Sequence, residues 1–222
     1  MPNTVTPSLG LDALCYSNQI PSELVNIIGQ YFRGEINNDN IRPAVHMWMF
    51  NQSECLLEYG HISDWDTSKV TDMSCLFAYK EEFNEDINNW DVSNVTDMSD
   101  MFAGAFDFNQ PLDKWDVSKV TNMSQMFCCA ASFNQPLNKW DVANVTNMKN
   151  MFTCATSFNQ PLDKWNVAKV TNMWSMFYDA SNFNQPLNCW DVTNVSNMTD
   201  MFYDASNFNQ PLDKWNVANV NM

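Results

Sequence analysis

"FNQPLDKWDVSKVTNMSQMF" at positions 108–127 is followed by "FNQPLNKWDVANVTNMKNMF" at 133–152, and two more copies follow with small changes. The interval is 25 residues, and it holds Trp65, Trp90, Trp115, Trp140, Trp165, Trp190 and Trp215 in one column. Phe83, Phe108, Phe133, Phe158, Phe183 and Phe208 form a second column. Phe77 through Phe202 form a third and Met73 through Met198 a fourth, at the same spacing. Self-similarity at a fixed period marks a chain that grows by stacking equal residues on equal residues. The 222 residues, which by length alone suit one domain or two, are therefore read as one repeat array over 61–222.

Within a row, Met98, Met101, Phe102 and Ala105 stand at i, i+3, i+4 and i+7, the spacing of one apolar helical stripe. Thr96 precedes them as an N-cap, so the stretch predicts a short helix. Upstream, "PLDKWDV" predicts a short extended piece anchored by Leu112 and Trp115, with Pro111 in its approach because proline cannot donate to a ladder. The Asn column at Asn84, Asn109, Asn134, Asn159, Asn184 and Asn209 is expected to satisfy backbone groups of neighbouring coils at a bend. Asp66, Asp91, Asp116, Asp141 and Asp191 are expected to form turns by bonding the backbone ahead. A calcium row is the alternative for that column, and Asn166 and Asn216 interrupt it.

These residues carry a resemblance. The pattern "FNQPL..WDVS.VT.M..MF" resembles the DUF285 surface-protein repeat, which belongs with the BspA-like leucine-rich repeats. The likeness covers about 61–222, and the lead-in at 44–66 is also similar. It implies an α/β fold: a leucine-rich-repeat-like, right-handed solenoid of about seven coils, with short parallel strands along one side and short helices along the other. It also implies interaction or surface functions. Many bacterial members are secreted or lipid-anchored.

A stacked array needs closed ends. Residues 1–18 are read as a flexible tail and 19–60 as a helical cap. In the cap, Val45, Trp48, Met49 and Gln52 run with helical spacing, and Cys55, Leu56 and Tyr59 continue the stripe. Gly60 then releases the chain into "HISDW", read as the first strand. Earlier, "QIPSELVNIIGQYF" at 19–32 sets Leu24, Ile27, Ile28 and Tyr31 on one face after Pro21 and Ser22. It resembles the opening of an F-box, which would make the protein a substrate adaptor of a ubiquitin ligase; a plain packing helix is the other reading. The last unit, "WNVANVNM", begins a coil without completing it, so that end folds back on itself or is covered by another molecule, including a second copy.

Chemistry is sparse. His46 and His61 are isolated, and no phosphate-binding, dinucleotide, zinc-protease or serine-nucleophile motif occurs. Repeated carboxylates suit stacking better than acid–base catalysis, which needs singular groups. No enzyme activity, cofactor or metal is expected. Lysine and arginine number 11 against 26 acidic residues, a net charge of −15. Such a surface repels phosphate backbones and anionic lipid, so nucleic acid and membrane surfaces are not expected partners. The N-terminus shows no export signal, and no run nears the ~18 apolar residues that span a bilayer. Seven cysteines at irregular spacing do not make a disulfide framework. The expected compartment is intracellular, and cytoplasmic. Cys129 and Cys154 share a column at disulfide range and are expected as free thiols there.

One surface breaks the pattern. The column of Ser74, Ser99, Ser124, Lys149 and Thr199 is polar, yet holds Trp174. Tyr178 follows four residues later and Tyr203 one coil later, with Asp179, Asp200 and Asp204 around them. Exposed Trp and Tyr dominate interface energies, so this patch is the candidate binding site for a protein partner, and its acidic rim selects a basic one. The expected function is a non-enzymatic repeat scaffold for protein–protein interaction. The alternatives are the F-box adaptor and a surface or adhesion protein like the bacterial members.

Overall fold

Residues 34–220 are described by the computed structural model. The tail at 1–18 and the F-box-like segment at 19–32 lie outside the described residues. Two helices, α1 (Ile41–Phe50) and α2 (Gln52–Glu58), occupy the stretch read as the N-terminal cap. α1 buries Ile41, Ala44, Val45 and Trp48, the stripe its sequence spacing sets on one face. Asn51, at φ −147° and ψ 61°, separates the helices. Beyond Gly60, the segment "HISDW" is not a strand. Ile62–Asp64 is a single 3₁₀ turn, and the His61 side chain accepts from the Ser63 N–H at its start.

The α/β reading of the repeats is wrong. Among the described residues there is no β-strand, and no helix follows the turn at Ile62–Asp64. Each 25-residue coil is a run of tight turns, and its backbone shows why. In the second coil the amides of Met101, Ala103 and Ala105 close turns onto the carbonyls of Met98, Asp100 and Phe102. The alternate amides, of Met98, Asp100, Phe102 and Gly104, point the other way and donate to Asn122, Ser124, Met126 and Cys128 of the next coil. A helix would need every amide to bond four residues back within its own segment. Here half of them leave the segment.

Two left-handed residues per coil enforce that alternation. Asp100 (φ 56°) and Gly104 (φ 69°) are followed in later coils by Gln125 and Cys129, Asn150 and Cys154, Ser175 and Asp179, and Asp200 and Asp204, all at positive φ. A right-handed helix cannot pass through such residues. Two successive four-residue turns still place Met98, Met101, Phe102 and Ala105 inward, and all four are buried. The sequence spacing had found the core but could not tell paired turns from a helix. Strands fail for a related reason: one parallel bridge joins each pair of coils, in the column from Asp72 to Asn197, and nothing extends it. "PLDKWDV" is likewise turned, with Trp115 N–H on the Leu112 carbonyl at 3.2 Å and Val120 N–H on that of Val117 at 2.9 Å.

The core is a set of aromatic columns. Phe102 and Phe127 stack at 5.6 Å, Phe108 and Phe133 at 5.8 Å, and Trp115 and Trp140 at 6.4 Å, all within 7° of parallel. Buried indoles need a partner for their N–H. Trp115, Trp140, Trp165 and Trp190 each donate to the carbonyl 28 residues earlier, those of Ile87, Leu112, Leu137 and Leu162, at 2.9–3.1 Å. The tryptophans therefore bolt each coil to the one before it.

Polar columns complete the stack. From Asn84 to Asn184, each Asn of the bend accepts, through Oδ1, the amide of the Asn above it; Asn109 takes that of Asn134 at 3.0 Å. The Gln that follows donates to the same Asn below, as Gln135 does to Asn109. Two further columns alternate by coil. Asn88, Asp113, Asn138, Asp163, Asn188 and Asp213 follow one another, as do Lys69, Asn94, Lys119, Asn144, Lys169 and Asn194, before Asn219 ends the second alternation. The amide of Asn88 donates to Asp113, and Lys119 and Lys169 reach down to Asn94 and Asn144. In these two columns each charge thus meets an amide and not its like, whereas Asp66, Asp91, Asp116 and Asp141 do follow one another in theirs.

The two ends differ. At the N-terminal end Asn38 accepts the Thr71 amide at 2.9 Å, and Arg42 donates to the Ser74 carbonyl at 2.8 Å and pairs with Asp72. At the other end the amides of Met198, Asp200, Phe202 and Asp204 find no acceptor among the described residues, although their counterparts one coil earlier do. Phe202, Phe208, Leu212 and Trp215 are only partly buried there.

Candidate functional site

The two turn columns that run 103, 128, 153, 178, 203 and 104, 129, 154, 179, 204 place the proposed patch on the turn side of the stack. Because the turns repeat, Tyr203 lies directly over Tyr178, and their rings stack at 5.1 Å and 13°. Tyr203 is 60 % exposed and Tyr178 is half-buried. Asp179 and Asp204 sit beside them in the adjoining column, with Asp204 exposed and Asp179 half-buried. Desolvation, then the charges of Tyr203, Asp204, Asp179 and Asp200, push the Tyr178 hydroxyl above its ordinary value. Tyr178 is therefore a neutral donor in an acidic setting.

Trp174 stands apart from the pair. It is half-buried, and among the described residues no ring stacking joins it to either tyrosine. The Lys149 ammonium instead lies 4.2 Å from its ring centroid, a cation–π contact that occupies one face. The sequence carried this signal, since Lys149 and Trp174 share a column in successive rows. Asp200 is exposed one coil above Ser175.

A second cluster continues the same two columns toward the N-terminus. Cys128 and Cys129 have sulfurs 3.8 Å apart, and Cys154 follows Cys129 in its column. Cys128 had not been singled out from the sequence. The contact with the Cys128 sulfur, the largest influence, holds the Cys129 thiol below its ordinary value. Burial and the Cys129 charge raise the Cys154 thiol above its ordinary value. All three thiols are free and half-buried.

The carboxylate column has a structural task. Asp91, Asp116 and Asp191 each accept the amide two residues ahead at 3.0–3.1 Å, and Asn166 and Asn216 accept the same bond. The column needs an acceptor oxygen and not a charge, which removes the ground for a calcium row. Among the described residues no three His, Cys, Asp or Glu side chains converge on a metal position, and no helix is long and apolar enough to cross a membrane.

A family model described as "Mycoplasma protein of unknown function, DUF285" matches residues 45–153 and again 130–222. No curated protein and no solved structure matches the chain.

Proposed function

The chain belongs to the DUF285 family, and from that premise we propose that it is a non-enzymatic repeat scaffold that binds a protein through its turn face. The observation that carries this reading is the stacked Tyr178–Tyr203 pair, with Tyr203 exposed and aspartates alongside. A regular stack has no internal reason to replace Ala103, Cys128 and Thr153 by tyrosine, since those smaller residues serve the same turn in earlier coils. Exposed tyrosines bring large contact area at low entropic cost, and they are the residue type that anchors interfaces. Asp179, Asp200 and Asp204, on a chain of net charge −15, favour a basic partner segment and steer its approach. Trp174, half-buried with Lys149 over one face, is at most the edge of this surface.

The test is retention of proteins from the native cell on the immobilised chain, comparing the wild type with Tyr178→Ala/Tyr203→Ala. Both positions are turn sites where alanine occurs in another coil, so the stack is expected to survive. A basic protein lost by the double variant, and lost again in high salt, is the expected result. Equal retention by both chains would remove the patch from the interface.

A further inference from the structure

We infer that Cys129 and Cys154 form a thiol-oxidation site, in which hydrogen peroxide oxidises the Cys129 sulfur and Cys154 resolves it into a disulfide between adjacent coils. Three observations lead there. First, the two cysteines occupy the same left-handed turn position in successive coils, at φ 58° and 54°. Their Cα–Cβ bonds therefore run side by side, one coil apart. Parallel backbone spacing is about 4.8 Å, inside the roughly 4.4–6.8 Å Cα separation of disulfides. The backbone around them is pinned, since Cys129 N–H donates to Thr153 at 2.7 Å and Cys154 N–H to Tyr178 at 2.8 Å.

Second, the cluster distinguishes an attacking sulfur from a resolving one. The Cys128 sulfur lies 3.8 Å from that of Cys129, a contact that favours the Cys129 thiolate, the form that attacks a peroxide oxygen. Cys154 stays protonated and adjacent. Third, all three thiols retain partial exposure on the turn face, so a small oxidant reaches them. Cys55, by contrast, is buried and its thiol is pushed up to about 11 by burial and Glu58.

The chemistry balances. The Cys129 thiolate attacks peroxide, the O–O bond breaks, and with one proton the products are a sulfenic acid and water. The Cys154 thiol then attacks that sulfur, an S–S bond forms, and the hydroxyl leaves as a second water. Two electrons pass from the sulfurs to the peroxide. The neighbouring pair Cys128–Cys129 is close, yet a disulfide between adjacent residues closes a strained small ring, whereas the cross-coil pair needs only a small approach of two parallel side chains. The bond would staple the third coil to the fourth, directly before the coil that carries Tyr178.

The full chain treated with hydrogen peroxide and digested with trypsin gives a clear readout. Lys139 and Lys149 separate the peptide of 120–139, with Cys128 and Cys129, from that of 150–164, with Cys154. The expected product is those two peptides joined, lighter than their sum by two hydrogens, and released by dithiothreitol. Cys128→Thr, the residue that Thr153 supplies in that column, should leave the link in place. Cys154→Ser should instead leave Cys129 as a sulfenic acid that dimedone labels, and Cys129→Ser should give neither. A disulfide confined to 120–139, labelling spread evenly over Cys75 and Cys189, or no oxidation at all would each overturn the assignment.

Discussion

Replacing Trp140 tests the bolted column directly. Its ring is 3 % exposed, stacks on Trp115 at 6.4 Å and donates from Nε1 to the Leu112 carbonyl at 2.9 Å. A buried tryptophan covers roughly 150–250 Å², which at ~25 cal/mol per Å² amounts to ~4–6 kcal/mol of transfer energy. Alanine keeps a small part of that and leaves a hole between fixed neighbours, so Trp140→Ala should cost ~3–5 kcal/mol. Trp140→Phe keeps most of the area and strands the Leu112 carbonyl, at ~1–3 kcal/mol. Trp215→Ala should cost less, ~2 kcal/mol, because Trp215 is only partly buried and has a ring stacked on one side. Urea titration followed by the remaining tryptophans gives the midpoints. Hydrogen exchange across 140–164 shows whether the loss is local, since repeat arrays need not unfold in one step. A cost under ~1 kcal/mol for Trp140→Ala, or equal costs at 140 and 215, would refute the column as the main source of cohesion.

Three other outcomes are expected. Asp66 and Asp116 accept from the hydroxyl and amide of the serine two residues ahead, which holds both carboxyls below their ordinary value of 3.8. A depressed folded pKa gives stability that is complete above the unfolded value and lost as pH falls through the folded one, so the urea midpoint should drop below about pH 4. Asp116→Asn should keep the neutral-pH midpoint and shrink that drop, and an undiminished drop would contradict the linkage. Gly104→Ala should lower stability by ~1–2 kcal/mol, since φ is 69° and a Cβ would meet the Tyr79 ring at 3.0 Å; thermal unfolding that rises instead would count against it. Finally, the amides of Met198, Asp200, Phe202 and Asp204 should exchange faster than those of Met173, Ser175, Phe177 and Asp179. Slow exchange together with concentration-dependent dimers by light scattering would mean a second copy covers them, and slow exchange in a strict monomer would defeat the assignment.

The period, the buried columns and the helical lead-in were legible because identical residues at one interval must share one environment. Turn chemistry was legible too: the Asn and Asp columns make the bonds their side chains suggest. The secondary structure was not, for a geometrical reason. Apolar residues at i, i+3, i+4 and i+7 fit two turns of helix and also two consecutive tight turns. The distinguishing signal lay at the positions between. Asp100, Asn150 and Asp200 recur in one column and Gly104, Asp179 and Asp204 four residues later, all residue types that tolerate a left-handed backbone. Gln125 and the cysteines at the same positions hid it. At the surface patch, the columns put Tyr178 beneath Tyr203 correctly, whereas Trp174 goes to Lys149 because a column neighbour competes with a chain neighbour.

The alternating amide and charge columns set the unit by which such a gene can lengthen or shorten. Removing one coil, for example the one with Asn138 and Asn144, would seat Asp163 on Asp113 and Lys169 on Lys119. Like charges one coil apart repel, and the amides that had separated them would be gone. Removing two coils restores the alternation with no other change. In-frame loss or gain of fifty codons should therefore leave these two columns alternating, whereas a step of twenty-five should cost only a little stability, since the Asp66, Asp91, Asp116 and Asp141 column already carries like charges in successive coils.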